Sequence, residues 1–228
     1  MDRCHFRALP PGLSQRCLAL ALAALTALGT PGCNLVATVM YVVNGTNEPA
    51  AFPGLKGKRV AVVCRPVMTL QFNSDNGSVS RDLAKQITAL LKKNVPKIEV
   101  IDYREVAQWT DENDWDDYMQ IGKALNVDMV VGLDLLDFNL FKDMTLYQGK
   151  ANVTINVYDI VKGEKDPVYE NTLPQFLYPA VAPISSSEIP VPQFRRKFIM
   201  ALSEQIGRHF YDHDRSADFA NDSTATYQ

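Results

Sequence analysis

Residues 121–132 read Ile121-Gly122-Lys123-Ala124-Leu125-Asn126-Val127-Asp128-Met129-Val130-Val131-Gly132, and they carry a helix into a strand. Trp115, Tyr118, Ile121 and Leu125 recur at spacings of three, three and four, the apolar stripe of a helix led in by residues 111–117. Asn126 ends that helix. Val127–Leu133 is then a short apolar, β-branched run of the kind buried on both faces of a sheet, continuing toward Phe138.

Working back, the chain repeats the pattern. Val60–Val63 is another β-branched run, and Asn73-Ser74-Asp75-Asn76-Gly77 is turn chemistry. Ser78 or Ser80 can cap a helix, with Asp82 favourable in its first turn. Val79, Leu83, Ala84, Ile87, Leu90 and Leu91 form its apolar stripe, and Pro96 forbids continuation beyond Lys92-Lys93-Asn94. Ile98–Ile101 reads as the next strand. Strand, helix, strand, helix, strand predicts a mostly parallel sheet with right-handed crossovers.

Working forward, the pattern changes. Ala151, Val153, Ile155 and Val157 alternate with polar residues, a half-buried strand that turns at Lys162-Gly163-Glu164-Lys165 and returns over Val168–Thr172. Prolines 174, 179, 183, 190 and 192 predict an extended loop. Phe194, Phe198, Ile199, Leu202, Ile206 and Phe210 mark a last helix, and the polar residues 214–228 read as a disordered tail. The expected fold is α/β: a three-layer-like mixed sheet, with a βαβαβ half followed by an antiparallel hairpin and a C-terminal helix.

The N-terminus reads as an address. Arg3, Arg7 and Arg16 precede the apolar run Leu18–Leu28, and Gly29-Thr30-Pro31-Gly32 leads into Cys33. Positive, apolar, small is the order of an export signal, and the run is too short to span a bilayer. It resembles the bacterial lipobox, which implies cleavage before Cys33 and lipidation there. The alternative is cleavage near Ala27-Leu28-Gly29, with Cys33 a free thiol. Asn34 in second place leans toward the outer membrane. Residues 1–32 are thus expected to be a signal peptide, 33–57 a lipid-anchored tether, and 58–213 a single α/β domain.

Composition excludes some functions. Removing residues 1–32 takes three basic residues and one acidic from totals of 23 and 26, leaving a formal charge of −5. That balance argues against nucleic acid. Cys4 and Cys17 leave with the signal, so a lipidated Cys33 leaves Cys64 without a partner; in its apolar strand Cys64 reads as a small buried hydrophobe.

Three segments carry a resemblance: Lys58–Val63, Ile121–Gly132, and the hairpin Val157-Tyr158-Asp159-Ile160-Val161-Lys162-Gly163-Glu164. Together they resemble the α/β domain shared by the TolB amino-terminal domain, the CsgG curli-secretion lipoprotein and related envelope lipoproteins. The chain departs from CsgG in lacking long amphipathic barrel segments, and from TolB in lacking a propeller. The resemblance implies a non-enzymatic, lipid-anchored envelope protein that faces the periplasm and acts in protein–protein interaction, envelope assembly or secretion. Its expected partners are the membrane, through the lipid, and other envelope proteins, with a homo-oligomer possible; no cofactor is expected.

Other constellations carry alternatives. His209 and His213 share a helical face and are candidate metal ligands, without an obvious third. Asp111, Glu112, Asp114, Asp116 and Asp117 read either as a calcium loop or as a helix start; Trp115 in a ligand place favours the helix start. Asp134 and Asp137 are expected at a strand end, where open α/β sheets bind ligands. Pro174, Phe176, Tyr178, Pro179, Ile189 and Pro190 either present a stiff docking surface or pack as a crossover. These leave two further functions open: a metal-binding or hydrolytic enzyme, and an accessory solute- or lipid-binding subunit of a transport system.

Overall fold

The helix-to-strand segment forms as its pattern predicts in the computed structural model of the chain, which describes residues 47–67 and 76–214. Cys33, the signal, the first part of the tether and residues 215–228 lie outside the described residues. Asp117 caps the helix Tyr118–Ala124, its carboxylate accepting from the Met119 N–H at 2.8 Å. Asn126 takes φ 50°, and the Val127 N–H reaches back to the Gly122 carbonyl at 3.1 Å. That left-handed stop is one Asn tolerates, and it hands the chain directly to the strand Met129–Phe141.

In chain order the elements are β1 (Asn47–Glu48), a 3₁₀ turn (Pro53–Leu55), β2 (Arg59–Pro66), α1 (Asn76–Asn94), β3 (Glu99–Val100), α2 (Tyr103–Glu112), α3 (Tyr118–Ala124), β4 (Met129–Phe141), β5 (Leu146–Asp159), β6 (Tyr169–Tyr178), β7 (Ile184–Ser185), α4 (Val191–Gly207) and β8 (His213–Asp214). The main sheet runs β3-β2-β4-β5-β6, with β7 added on β5. β2 is parallel to β3 and β4, whereas β4, β5 and β6 are antiparallel neighbours.

The pleat sorts β2 between two cores. Val60 and Val62 join α1 and α4 in the larger core; Ala61 and Val63 join α2 and α3 on the opposite face. A mixed sheet between two helix layers results. Phe194 and Phe198 on α4 are fully buried and stack with Tyr178 and Phe176 of β6. Gly149 lets β5 pass beneath Phe198, since a Cβ there would meet the ring at 2.5 Å.

Several boundaries differ from those expected. Residues 103–112 form a helix, α2, that the pattern did not announce, and Trp115 lies between helices rather than within one. Asp111 and Glu112 end α2, so of the acidic cluster only Asp117 heads a helix. No acidic residue stands in the first turn of α1; Asp82 instead bonds Arg195 of α4 at 2.9 Å. The proline loop begins as strand, with residues 174–178 in β6 and 184–185 in β7 and irregular backbone between and after them. β6 continues through Pro174, absorbed at a bulge where the register slips between Ala151 and Val153 and Gln175 takes φ 50°.

Residues 47–57 are not loose either. Leu55 is fully buried, and the Phe52 N–H donates to the His209 carbonyl at 2.7 Å while its ring packs on Tyr169 and Phe210. β1 pairs with β8, tying both ends of the domain together.

Candidate functional site

Arg65 and Asp134 are direct neighbours across the parallel pair β2–β4, and the register alone brings them together. The Arg65 guanidinium meets Asp134 Oδ1 at 2.9 Å through Nη2 and at 3.0 Å through Nε. Tyr118 Oη donates to the same oxygen at 2.8 Å, and Asn156 Nδ2 donates to Oδ2 at 3.1 Å. The guanidinium also lies over the rings of Tyr118 and Trp115, 5.1 and 5.8 Å from their centroids. Tyr118 stacks in turn on Tyr158. Gly132 makes room: a Cβ there would sit 2.7 Å from the Tyr118 ring.

Asp134 therefore lies in the middle of a long strand, not at its end, and its acceptors are spent. Burial, with the Asp134 charge beside it, raises the Tyr118 phenol far above its ordinary range, so that it stays a hydrogen-bond donor. Asp137 pairs with Lys150 at 3.6 Å. The network is a structural brace under an aromatic lid, without a free acid or base.

Beside this brace a cleft opens. β3 pairs with β2 only at Arg59–Glu99 and Val60–Val100; the Ile101 N–H donates to the Val60 carbonyl, and the chain then turns into α2. Backbone groups of a strand alternate between its two neighbours. Lys58 and Val60 face β3, whereas the Arg59 carbonyl accepts from Asp128 and the Val67 N–H donates to Leu135 on the β4 side. Val62 and Cys64 therefore face the side that β3 has left, and among the described residues no strand lies beside them.

The resulting cavity of about 210 Å³ is bounded by Val62–Pro66, by Ala84 and Arg81 of α1, by Val106 and Ala107 of α2, and by Trp115. Arg81 and Asp111 meet across its mouth at 3.4 Å. Burial pushes the Cys64 thiol up to about 12, with Ser80 hydrogen-bonded to it, so it is protonated and inert at neutral pH.

The other candidates are placed apart from this cleft. Tyr178 and Pro179 are buried and Phe176 and Ile189 half-buried against the larger core, leaving Pro174 and Pro190 as the exposed members of that set. His209 Nδ1 lies 2.7 Å from Tyr169 Oη, and His213 Nε2 lies 3.7 Å from Glu48. The two imidazoles have separate partners, and burial, with repulsion from His213, holds His209 below its ordinary value. Arg65, Tyr118 and Asn156 went unsingled in the sequence; the only available signal was that Arg65 and Asp134 both follow β-branched runs.

No protein-family model and no curated protein matches the chain. Solved structures that it resembles include bacterial lipoproteins. The PelC dodecamer from Paraburkholderia phytofirmans is 10% identical with a TM-score of 0.43, over 72% of this chain and 95% of that one. Lipoprotein GNA1162 from Neisseria meningitidis is 10% identical with a TM-score of 0.43, over 65% and 96%. A minor lipoprotein from Acinetobacter baumannii is 15% identical with a TM-score of 0.33, over 68% and 92%.

Proposed function

We propose that this chain is an exported bacterial lipoprotein, anchored through Cys33 on the periplasmic side, that binds another envelope protein at the cleft beside β2 and transforms no substrate. One observation carries this reading. A recessed opening of the domain is floored by a strand edge, and the charged side chains that line it are already paired, Arg65 with Asp134 and Arg81 with Asp111, while burial keeps the Cys64 thiol protonated. Such a site offers contacts, not chemistry. The order Arg3/Arg7/Arg16, Leu18–Leu28, Gly32-Cys33 supports the anchor, with the outer membrane favoured by Asn34. The finer kinship with the TolB amino-terminal domain and CsgG, and self-assembly into an oligomer, belong to this proposal as well.

The metal reading fares worse because His209 and His213 point to separate partners. Two measurements test the proposal together. Intact mass of membrane and soluble fractions, with Cys33→Ala as control, should show an acylated species that the variant lacks. A photo-crosslinking residue at Thr110, on the cleft, should trap one envelope protein that the same residue at Thr172, on β6 at the far edge of the same sheet, does not. A soluble, unmodified species would remove the anchor. Equal or absent crosslinks from the two positions would remove the cleft as the partner site.

A further inference from the structure

We infer that the open edge of β2 from Val62 to Pro66 is a docking site for an extended, uncharged, small-side-chain segment of the partner protein, which adds as a strand where β3 stops. The inference rests on the partner-binding reading and names the chemistry of the contact. Val62 and Cys64 turn their N–H and C=O groups toward the side vacated by β3, and none of these four groups meets a strand among the described residues. Donors and acceptors repeated every second residue along a strand, roughly 6.6 Å apart, are the pattern that another extended backbone answers. Five edge residues accommodate a segment of about five residues.

The walls specify the rest. Ala84 on the α1 side and Ala107 on the α2 side leave space for short side chains alternating to the two faces of the added strand, and not for large ones. The cavity's charges are balanced in place, Arg65 by Asp134 and Arg81 by Asp111, so a charged segment would gain no counterion on entering. The edge already supports ladder bonding: β2 holds register with β4 without a break from Val60 to Pro66.

The test uses the full chain, isotope-labelled for amide NMR, and a capped pentapeptide Gly-Ala-Val-Ala-Gly. A second copy of that peptide is N-methylated at alternate amides, so that one edge loses its donors. Strand addition predicts that the Val62 and Cys64 amides exchange quickly in the free chain, shift downfield with the first peptide and slow at least tenfold at saturation. The methylated peptide should not do this, and Ala107→Leu, which fills the cavity, should weaken binding at least tenfold while leaving the α4 amides unchanged. Slow exchange of both amides in the free chain would overturn the inference. So would equal binding of the methylated peptide, or no response at either amide. A specific crosslink from Thr110 with silent Val62 and Cys64 amides would keep the partner site and discard strand addition. Responding amides without a crosslink would do the reverse.

Discussion

The outer side of β6 and the side of β2 beyond β3, neither of which has a neighbouring strand among the described residues, are built on opposite terms. The β6 edge is ten residues long and irregular: Pro174 has no N–H, Gln175 takes φ 50°, and the Gln175 N–H is drawn to Asn152 Oδ1 at 2.8 Å. The β2 edge is short and regular, without a bulge from Val60 to Pro66, and its proline stands at the very end of the strand. Open edges template pairing with other chains, and proteins blunt them with prolines, bulges or covering elements. Here the long, outlying edge is blunted by its own residues, whereas the short one is recessed between α1 and α2 and keeps its bonding pattern. A protected edge speaks of stability. A recessed but regular one speaks of selection.

The largest expected effect lies beneath the guarded edge. Phe198 is fully buried, touches the rings of Phe138, Phe176, Tyr178 and Phe194, and fills the space above Gly149. Phe198→Ala should cost about 3–5 kcal/mol in denaturant unfolding, by lost burial plus the cavity left behind. Hydrogen exchange should rise first along β6. If β6 stays as protected as β4, the guarded edge does not depend on α4.

Beneath the open edge the brace is smaller and wetter. Asp134→Ala strands the Tyr118 hydroxyl and the Asn156 amide, each an unmet buried donor, while Arg65, 37% exposed, regains water. A loss of about 1–3 kcal/mol is expected, with Trp115 fluorescence altered as the guanidinium leaves its ring. An unchanged midpoint would make the network ornamental.

How far the sequence announced these two regions follows from how local each signal is. The β-branched run at Val60–Val63, the Asn126 stop and the alternation from Ala151 to Val157 each act within a few residues, and each element appears where the pattern puts it. α2 was hidden because only Val106 is fully buried on it, with Arg104, Glu105, Gln108, Asp111 and Glu112 toward solvent; one residue makes no period. The second half of β6 was hidden because Pro174, first of the five prolines up to 192, signals a loop and only a bulge reconciles it with a strand. The Asp134 brace joins residues 65, 118, 134 and 156, whose convergence is a property of register. The cleft depends on β3 stopping at Val100, one residue short of the strand expected over Ile98–Ile101.

A pH test separates the domain's ends from both edges. Burial and the nearby His213 hold His209 below the ordinary histidine value, so the native ring stays neutral against Tyr169. The unfolded chain takes up a proton as pH falls through about 6.5, and the native state does so only lower, so stability present at neutral pH drains away on acidification. Urea midpoints measured from about pH 7.5 to about pH 5 should fall, and His209→Gln should flatten the slope. An identical slope in the variant would assign the effect to other groups.

The smallest change in stability should carry the most direct reading of the comparison. Pro174→Thr restores an N–H and β propensity to an exposed position at the bulge of β6, with a stability change within about 0.5 kcal/mol. Its expected effect is on company: sedimentation of the variant should show concentration-dependent association beyond that of the unsubstituted chain, because the blunted edge has become a template. Adding a second change, Gln175→Gly, which relaxes the φ 50° position, distinguishes the two guards. If Pro174→Thr alone sediments as the parent does and association appears only in the double variant, the bulge is the guard and the proline rides on it. Association in the single variant assigns the guarding to Pro174, and the contrast with β2 then turns on where the proline stands: in mid-strand in β6, at the last residue in β2.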